Sequence, residues 1–108
     1  MTVQELSETL SLKVFHLADP DHSVSGGYCG DLLSWVMGRA SADSVWLTIM
    51  SNVNVAAVAS LSDVACVVLT EGVEPDGPLL VKAKTQGINL LGSQLSTFEI
   101  AVSLAKLL

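Results

Sequence analysis

The chain is poor in positive charge. It carries five Lys plus Arg against eleven Asp plus Glu, a formal net charge of −6 over 108 residues. A phosphate backbone is repelled by such a balance, so nucleic-acid binding through a basic face is excluded, and anionic membrane surfaces are disfavoured for the same reason. Long apolar runs are lacking too. The longest, Val64 to Leu69, falls far short of the roughly 20 residues that span a bilayer, and the acidic start with Glu5 and Glu8 has no basic region of a secretory leader. Only two cysteines occur, Cys29 and Cys66. They make no disulfide framework and fit a reducing, cytoplasmic setting, with Cys66 read as a buried small hydrophobe inside its apolar run. Histidines number two, His16 and His22. With Cys29 they have no recognised metal-ligand spacing, so no metal site and no cofactor site is expected.

What is abundant is apolar surface: half of the residues are hydrophobic. For one small domain this implies elements covered on more than one side, or a patch kept for a partner. Helix signals are clear. Thr2 and Glu5 have capping-box spacing and predict a helix over about 3–10, with Val3, Leu6 and Leu10 on one face. Asp76-Gly77-Pro78 opens another, closed by Gly87 after Gln86. Ser96-Thr97-Phe98-Glu99 repeats the capping box and starts the last helix, to about 105 or 106. Asn52 is placed to cap a helix over 53–61, and Asp31 to cap a short one over 31–37 that turns Leu32, Leu33, Val36 and Met37 inward and stops at Gly38.

Between these lie strands. Residues 13–17, 45–49 and 88–91 are short and rich in strand formers, and 64–69 is apolar throughout, the mark of a strand covered on both faces. The stretch 18–30, with one proline and three glycines, reads as a loop. Strands alternating with helices from residue 31 onward predict a single α/β domain, with about four parallel or mostly parallel strands and right-handed crossovers.

In such a sheet, ligands collect beyond the carboxyl ends of the strands. The groups expected there are Ser25, Gly26, Gly27 and Asp31, then Asn52 and Asn54, then Thr70, then Ser93, Ser96 and Thr97. Turn and cap chemistry also accounts for all of them. The glycine stretch is neither a P-loop, for want of a lysine, nor a dinucleotide fingerprint, for want of the spacing. Cys29, His22 and Asp31 make a nucleophile, base and acid on paper, but nothing in their spacing requires it. His22 reads as a solvated loop residue, and Trp35 and Trp46 as core or interface aromatics. No catalytic residue is assigned.

The order of these segments carries a resemblance. Asp21-His22-Ser23-Val24-Ser25-Gly26-Gly27-Tyr28-Cys29-Gly30-Asp31-Leu32-Leu33-Ser34 resembles the signature of the DRTGG domain, with His22 in place of its Arg and Ser25 in place of its Thr. Val45 to Ile49, Asn54 to Ala59 and Leu95 to Glu99 are similar to that family in the same order. The likeness runs from about residue 2 to 107. It implies the fold of the amino-terminal domain of HPr kinase/phosphorylase and the accessory role such domains have in CBS-domain pyrophosphatases. The resemblance therefore implies a non-catalytic regulatory or protein-interaction module serving a redox or metabolic enzyme system; the excess of apolar residues, the small-residue helix over 53–61 and the two apolar faces of the last helix add the expectation of a homodimer. The alternative is a sensor of a nucleotide or other anion at the loops after the strands.

Overall fold

A computed structural model describes residues 1–108. Its elements are α1 (Val3–Thr9), β1 (Lys13–His16), β2 (Gly26–Cys29), α2 (Leu33–Arg39), β3 (Ser44–Thr48), α3 (Asn54–Ser62), β4 (Cys66–Leu69), α4 (Gly77–Gln86), β5 (Leu90–Gly92) and α5 (Thr97–Leu107). The five strands form one sheet in the order β1-β5-β4-β3-β2, parallel from β2 to β5, with β1 antiparallel on β5. No helix is long and apolar enough to cross a membrane.

The strand order explains where the helices go. From β2 to β5 the chain steps one strand at a time in one direction. Right-handed crossovers then lay α2, α3 and α4 side by side on one face. The opposite face is covered by α5, returning over β2 and β3, and by α1. Strand residues alternate between two cores. Trp46, Val67, Leu69 and Leu90 face α2–α4 with Val36, Val55 and Leu79. Val45, Leu47, Val68 and Leu91 face α1 and α5 with Leu6, Ile100 and Leu104. β3 and β4 are buried at every position, as strands covered on both faces must be.

The expected helix ends hold where they are local. Thr2 with Glu5 and Ser96 with Glu99 close both capping boxes, with all four hydrogen bonds at 3.1–3.2 Å. Asp76 caps α4 through the Leu79 amide at 2.8 Å, and Gly87 ends it at φ +68°. Asn52 is not the N-cap of α3: that position is Val53, without a side-chain bond, and Asn52 Oδ1 instead accepts the Asn54 amide at 2.9 Å in the turn before the helix.

Three further expectations are corrected. Residues 26–29 are not loop but the edge strand β2, so the four parallel strands include this glycine segment and exclude β1. α2 extends through Gly38 to Arg39 and buries only Val36, while Leu32, Trp35 and Met37 are exposed. Asp31 does not cap α2, whose N-cap Leu32 makes no side-chain bond.

One buried amide holds the remaining loop. Asn89, 4% exposed, accepts from the Ala18 and Asp19 amides, each at 2.8 Å, and donates to the Asp19 and Ala65 carbonyls at 2.8 and 3.0 Å. It pins the 18–20 segment to the start of the sheet. Asn89→Ala leaves these backbone groups without their partner, and urea unfolding is expected to show a loss of about 3 kcal/mol at unchanged m-value. A loss under about 1 kcal/mol contradicts this accounting.

Cys66 supplies a pH test. Burial pushes its thiol up from 9.0 to about 12. Above pH 9 the unfolded chain releases this proton and the native one retains it, so stability falls as pH rises. Relative to Cys66→Ala, the wild type is expected to lose about 1.4 kcal/mol per pH unit above that point. Parallel stability curves for the two proteins contradict it.

Candidate functional site

The carboxyl ends of the strands carry buried hydroxyls, and each has a partner. Thr48 and Thr70 are both fully buried. The Thr48 hydroxyl donates to Asp31 Oδ1 at 2.8 Å, the same oxygen accepts the Ile49 amide at 3.0 Å, and Thr48 Oγ1 accepts the Met50 amide at 3.1 Å. Asp31 therefore ties the end of β2 to the end of β3. Trp46 reinforces the tie, donating from Nε1 to the Gly30 carbonyl at 2.9 Å. Further along, Thr70 Oγ1 meets Thr97 Oγ1 at 2.6 Å. The Glu71 and Gly72 amides, in a left-handed turn at φ 61° and 75°, donate to the Leu95 and Ser93 carbonyls at 2.8 and 2.9 Å. Ser93 Oγ accepts the Leu95 amide at 3.1 Å.

Asp31, Asn52, Asn54, Thr70, Ser93, Ser96 and Thr97 thus share the carboxyl edge, but as separate local bonds strung along it. Within this set only Thr70 and Thr97 meet side chain to side chain. Ser25, Gly26 and Gly27 do not belong to this edge. They open β2 at its amino end, where Ser25 Oγ lies 3.5 Å from the Ala42 carbonyl. A Cβ on Gly27 would stand 2.9 Å from Leu104, so this glycine lets α5 sit close on the strand.

His22 is corrected as well. Its side chain is 21% exposed and its Nε2 lies 2.7 Å from Asp43 Oδ1, with Asp19 Oδ2 3.7 Å from Nδ1. This pair sits at the amino edge, where Val3 donates to the His22 carbonyl at 3.0 Å. Cys29 and Asp31 sit at the carboxyl end of β2, so thiol, imidazole and acid do not converge. No group of three or more His, Cys, Asp or Glu side chains is placed to hold a metal ion.

Three concavities remain. The largest, about 330 Å³, lies beside the β5 end and is lined by Leu10, Ser11, Lys13, Phe15, Gly72, Val73, Glu74, Gly92, Ser93, Gln94 and Leu95. A second, about 200 Å³, is an apolar groove between β2 and α5, with Gly27, Tyr28, Cys29 and Leu108 in its wall. The third, about 240 Å³, is polar and adjoins His22 and Asn89. Lys13 and Phe15 escaped sequence reasoning because only the antiparallel pairing of β1, with Lys13 opposite Gly92, brings them to the carboxyl edge, where Lys13 meets Glu74 of the β4–α4 loop.

Burial first, and the neighbouring Asp31 charge second, push the Cys29 thiol up from its usual range. Asp31→Asn keeps an acceptor for Thr48 and Ile49 and removes the charge. The pH midpoint of Cys29 alkylation is expected to fall in this variant, while Cys66 stays unreactive until the chain unfolds. An unmoved midpoint, or equal labelling of both thiols in the native state, contradicts this placement.

No protein-family model matches the chain, and no curated protein matches it. Among solved structures it is similar to the CBS and DRTGG domains of the regulatory region of Clostridium perfringens pyrophosphatase, crystallised with an activator, diadenosine tetraphosphate. The likeness has a TM-score of 0.73 at 13% identity and covers 94% of this chain and 44% of that one. At that identity the likeness is one of fold, and the chain spans under half of the regulatory region. The five-stranded, mostly parallel sheet between two helical layers is a DRTGG-like α/β fold.

Proposed function

We propose that this chain is a non-catalytic regulatory module that works by pairing with another protein surface, first of all a second copy of itself. The observation that carries this reading is the contrast between the two sheet edges. Edge strands are usually protected by charge, proline or a bulge. β1 has Lys13 and a register break between Val14 and His16. β2, Gly-Gly-Tyr-Cys, has no charge, no proline and an unbroken register. Gly30 donates inward to the Leu47 carbonyl, so alternation along the ladder turns the backbone groups of Gly27 and Cys29 toward the open side.

Apolar side chains flank that opening. On α2, Leu32 and Trp35 are exposed, Trp35 by 54%, and the Arg39 guanidinium stacks 3.9 Å from the Trp35 ring. Exposed Trp with stacked Arg is the composition of interface hot spots. At the end of α5, Leu108 borders the groove. Antiparallel pairing of β2 with its two-fold mate would join the same surface on both copies, as a closed dimer requires. The fold likeness to a pyrophosphatase regulatory region supports a regulatory role, and partners in a redox or metabolic system are compatible with it.

Anion sensing at the loops after the strands is less favoured by the geometry, since Asp31, Thr70, Ser93 and Ser96 there already bond to other groups of the chain.

Sedimentation velocity tests the pairing. The wild type is expected to dimerise in the micromolar range. Gly26→Lys has open space for its side chain, and with Trp35→Glu it is expected to weaken association about a hundredfold at unchanged circular dichroism. A wild type that stays monomeric to about 1 mM overturns the proposal.

A further inference from the structure

Of the four parallel strands, only one adjacent pair sends its following connections to opposite faces. The chain leaves β4 for α4 on one side and β5 for α5 on the other. Open α/β sheets bind ligands at such a switch point, beyond the carboxyl ends of the strands. The loops after β4 and β5 are zipped together there by the Glu71–Leu95 and Gly72–Ser93 backbone bonds, and the largest cleft opens directly beside them, toward β1.

Its lining is specific. A Cβ on Gly92 would stand 2.5 Å from Phe15 Cε2, so the glycine lets the ring lie against the strand as a floor. Leu10, Val73 and Leu95 supply apolar wall. At the mouth, Lys13 Nζ pairs with Glu74 Oε1 at 2.9 Å, and the ammonium lies 5.1 Å from the Phe15 ring centroid. These two side chains are 61% and 66% exposed, so their mutual attraction is screened and exchanging it for a ligand costs little.

One cation and one anion side by side over an apolar floor match a ligand that carries both charges at one end and an apolar group at the other. We propose that this cleft binds a free α-amino acid with an apolar side chain. Its carboxylate pairs with the Lys13 ammonium, its ammonium with the Glu74 carboxylate, and its side chain packs on Phe15. The volume, about 330 Å³, stands at the lower end of small-molecule pockets, which suits a ligand of that size. A nucleotide does not match: the single lysine is already balanced by a carboxylate, and the chain carries a net charge of −6. The cleft adjoins β1, at the opposite side of the sheet from β2, so it is independent of the pairing surface and either reading can fail alone.

Titration of the full chain with phenylalanine, leucine and methionine, followed by amide chemical shifts and calorimetry, tests the proposal. Saturable binding is expected, with shifts confined to the neighbourhood of Lys13, Gly72, Ser93 and Gln94. Phenylalanine amide and N-acetylphenylalanine, each lacking one charge, are expected to bind about tenfold more weakly or worse, and ATP not at all. Lys13→Met and Glu74→Gln, both on exposed side chains, are expected to fold normally and each to weaken phenylalanine about tenfold. The proposal is overturned by no response at about 10 mM amino acid, by equal binding of the blocked derivatives, or by full affinity in both variants. In the first case the Lys13–Glu74 pair is only a strap between β1 and the β4–α4 loop.

Discussion

Covering two central strands on both faces is the constraint from which the rest of this molecule follows. β3 and β4 are buried at every position. Stepping β2, β3, β4 and β5 in one direction spends three helices on a single face. The other face is left to the two terminal helices, and α5 must travel back from the β5 end to reach β2 and β3. That return produces the switch between β4 and β5, and it sets Leu104 against Gly27, where any side chain would intrude.

The same economy governs the polar groups. Strand ends in a small sheet leave hydroxyls and amides with little water, and each must be matched. Here they are matched within the chain: Thr48 by Asp31, Thr70 by Thr97, Asn89 by three neighbouring residues. Such bonds make a rigid rim, and they consume the groups that would otherwise face a ligand. Unmatched capacity lies elsewhere, in the backbone of the β2 edge, while the charges at the mouth of the cleft beside β1 are matched only by an exposed, exchangeable pair.

Much of this was legible in the sequence, and the reason is locality. The boundaries of α1, α4 and α5 follow from caps whose donors and acceptors lie three residues apart, and β4 follows from an unbroken apolar run. The DRTGG-like fold was legible from the order of its segments. β2 was not, because two glycines look like a turn and only β3, some eighteen residues on in register, makes them a strand. Asp31 was misplaced for the same reason: its position beside a helix start matches a cap, while its real partners, Thr48 and Ile49, come from another strand. α2 is too short for a reliable stripe, and its exposed Leu32, Trp35 and Met37 became visible only once its neighbours were placed. The lining of the cleft beside β1 was half legible. Turn chemistry located the loops, but the register of β1 decides that Lys13 and Phe15 join them.

Amide hydrogen exchange as a function of protein concentration tests the central claim, that a doubly covered sheet ends in one open edge made for pairing. The Gly27 and Cys29 amides are expected to exchange rapidly in dilute solution and to gain protection as concentration rises, while those of Val67, Val68 and Leu69 stay protected throughout. Protection of Gly27 and Cys29 that does not change with concentration, whether high or low, contradicts the account.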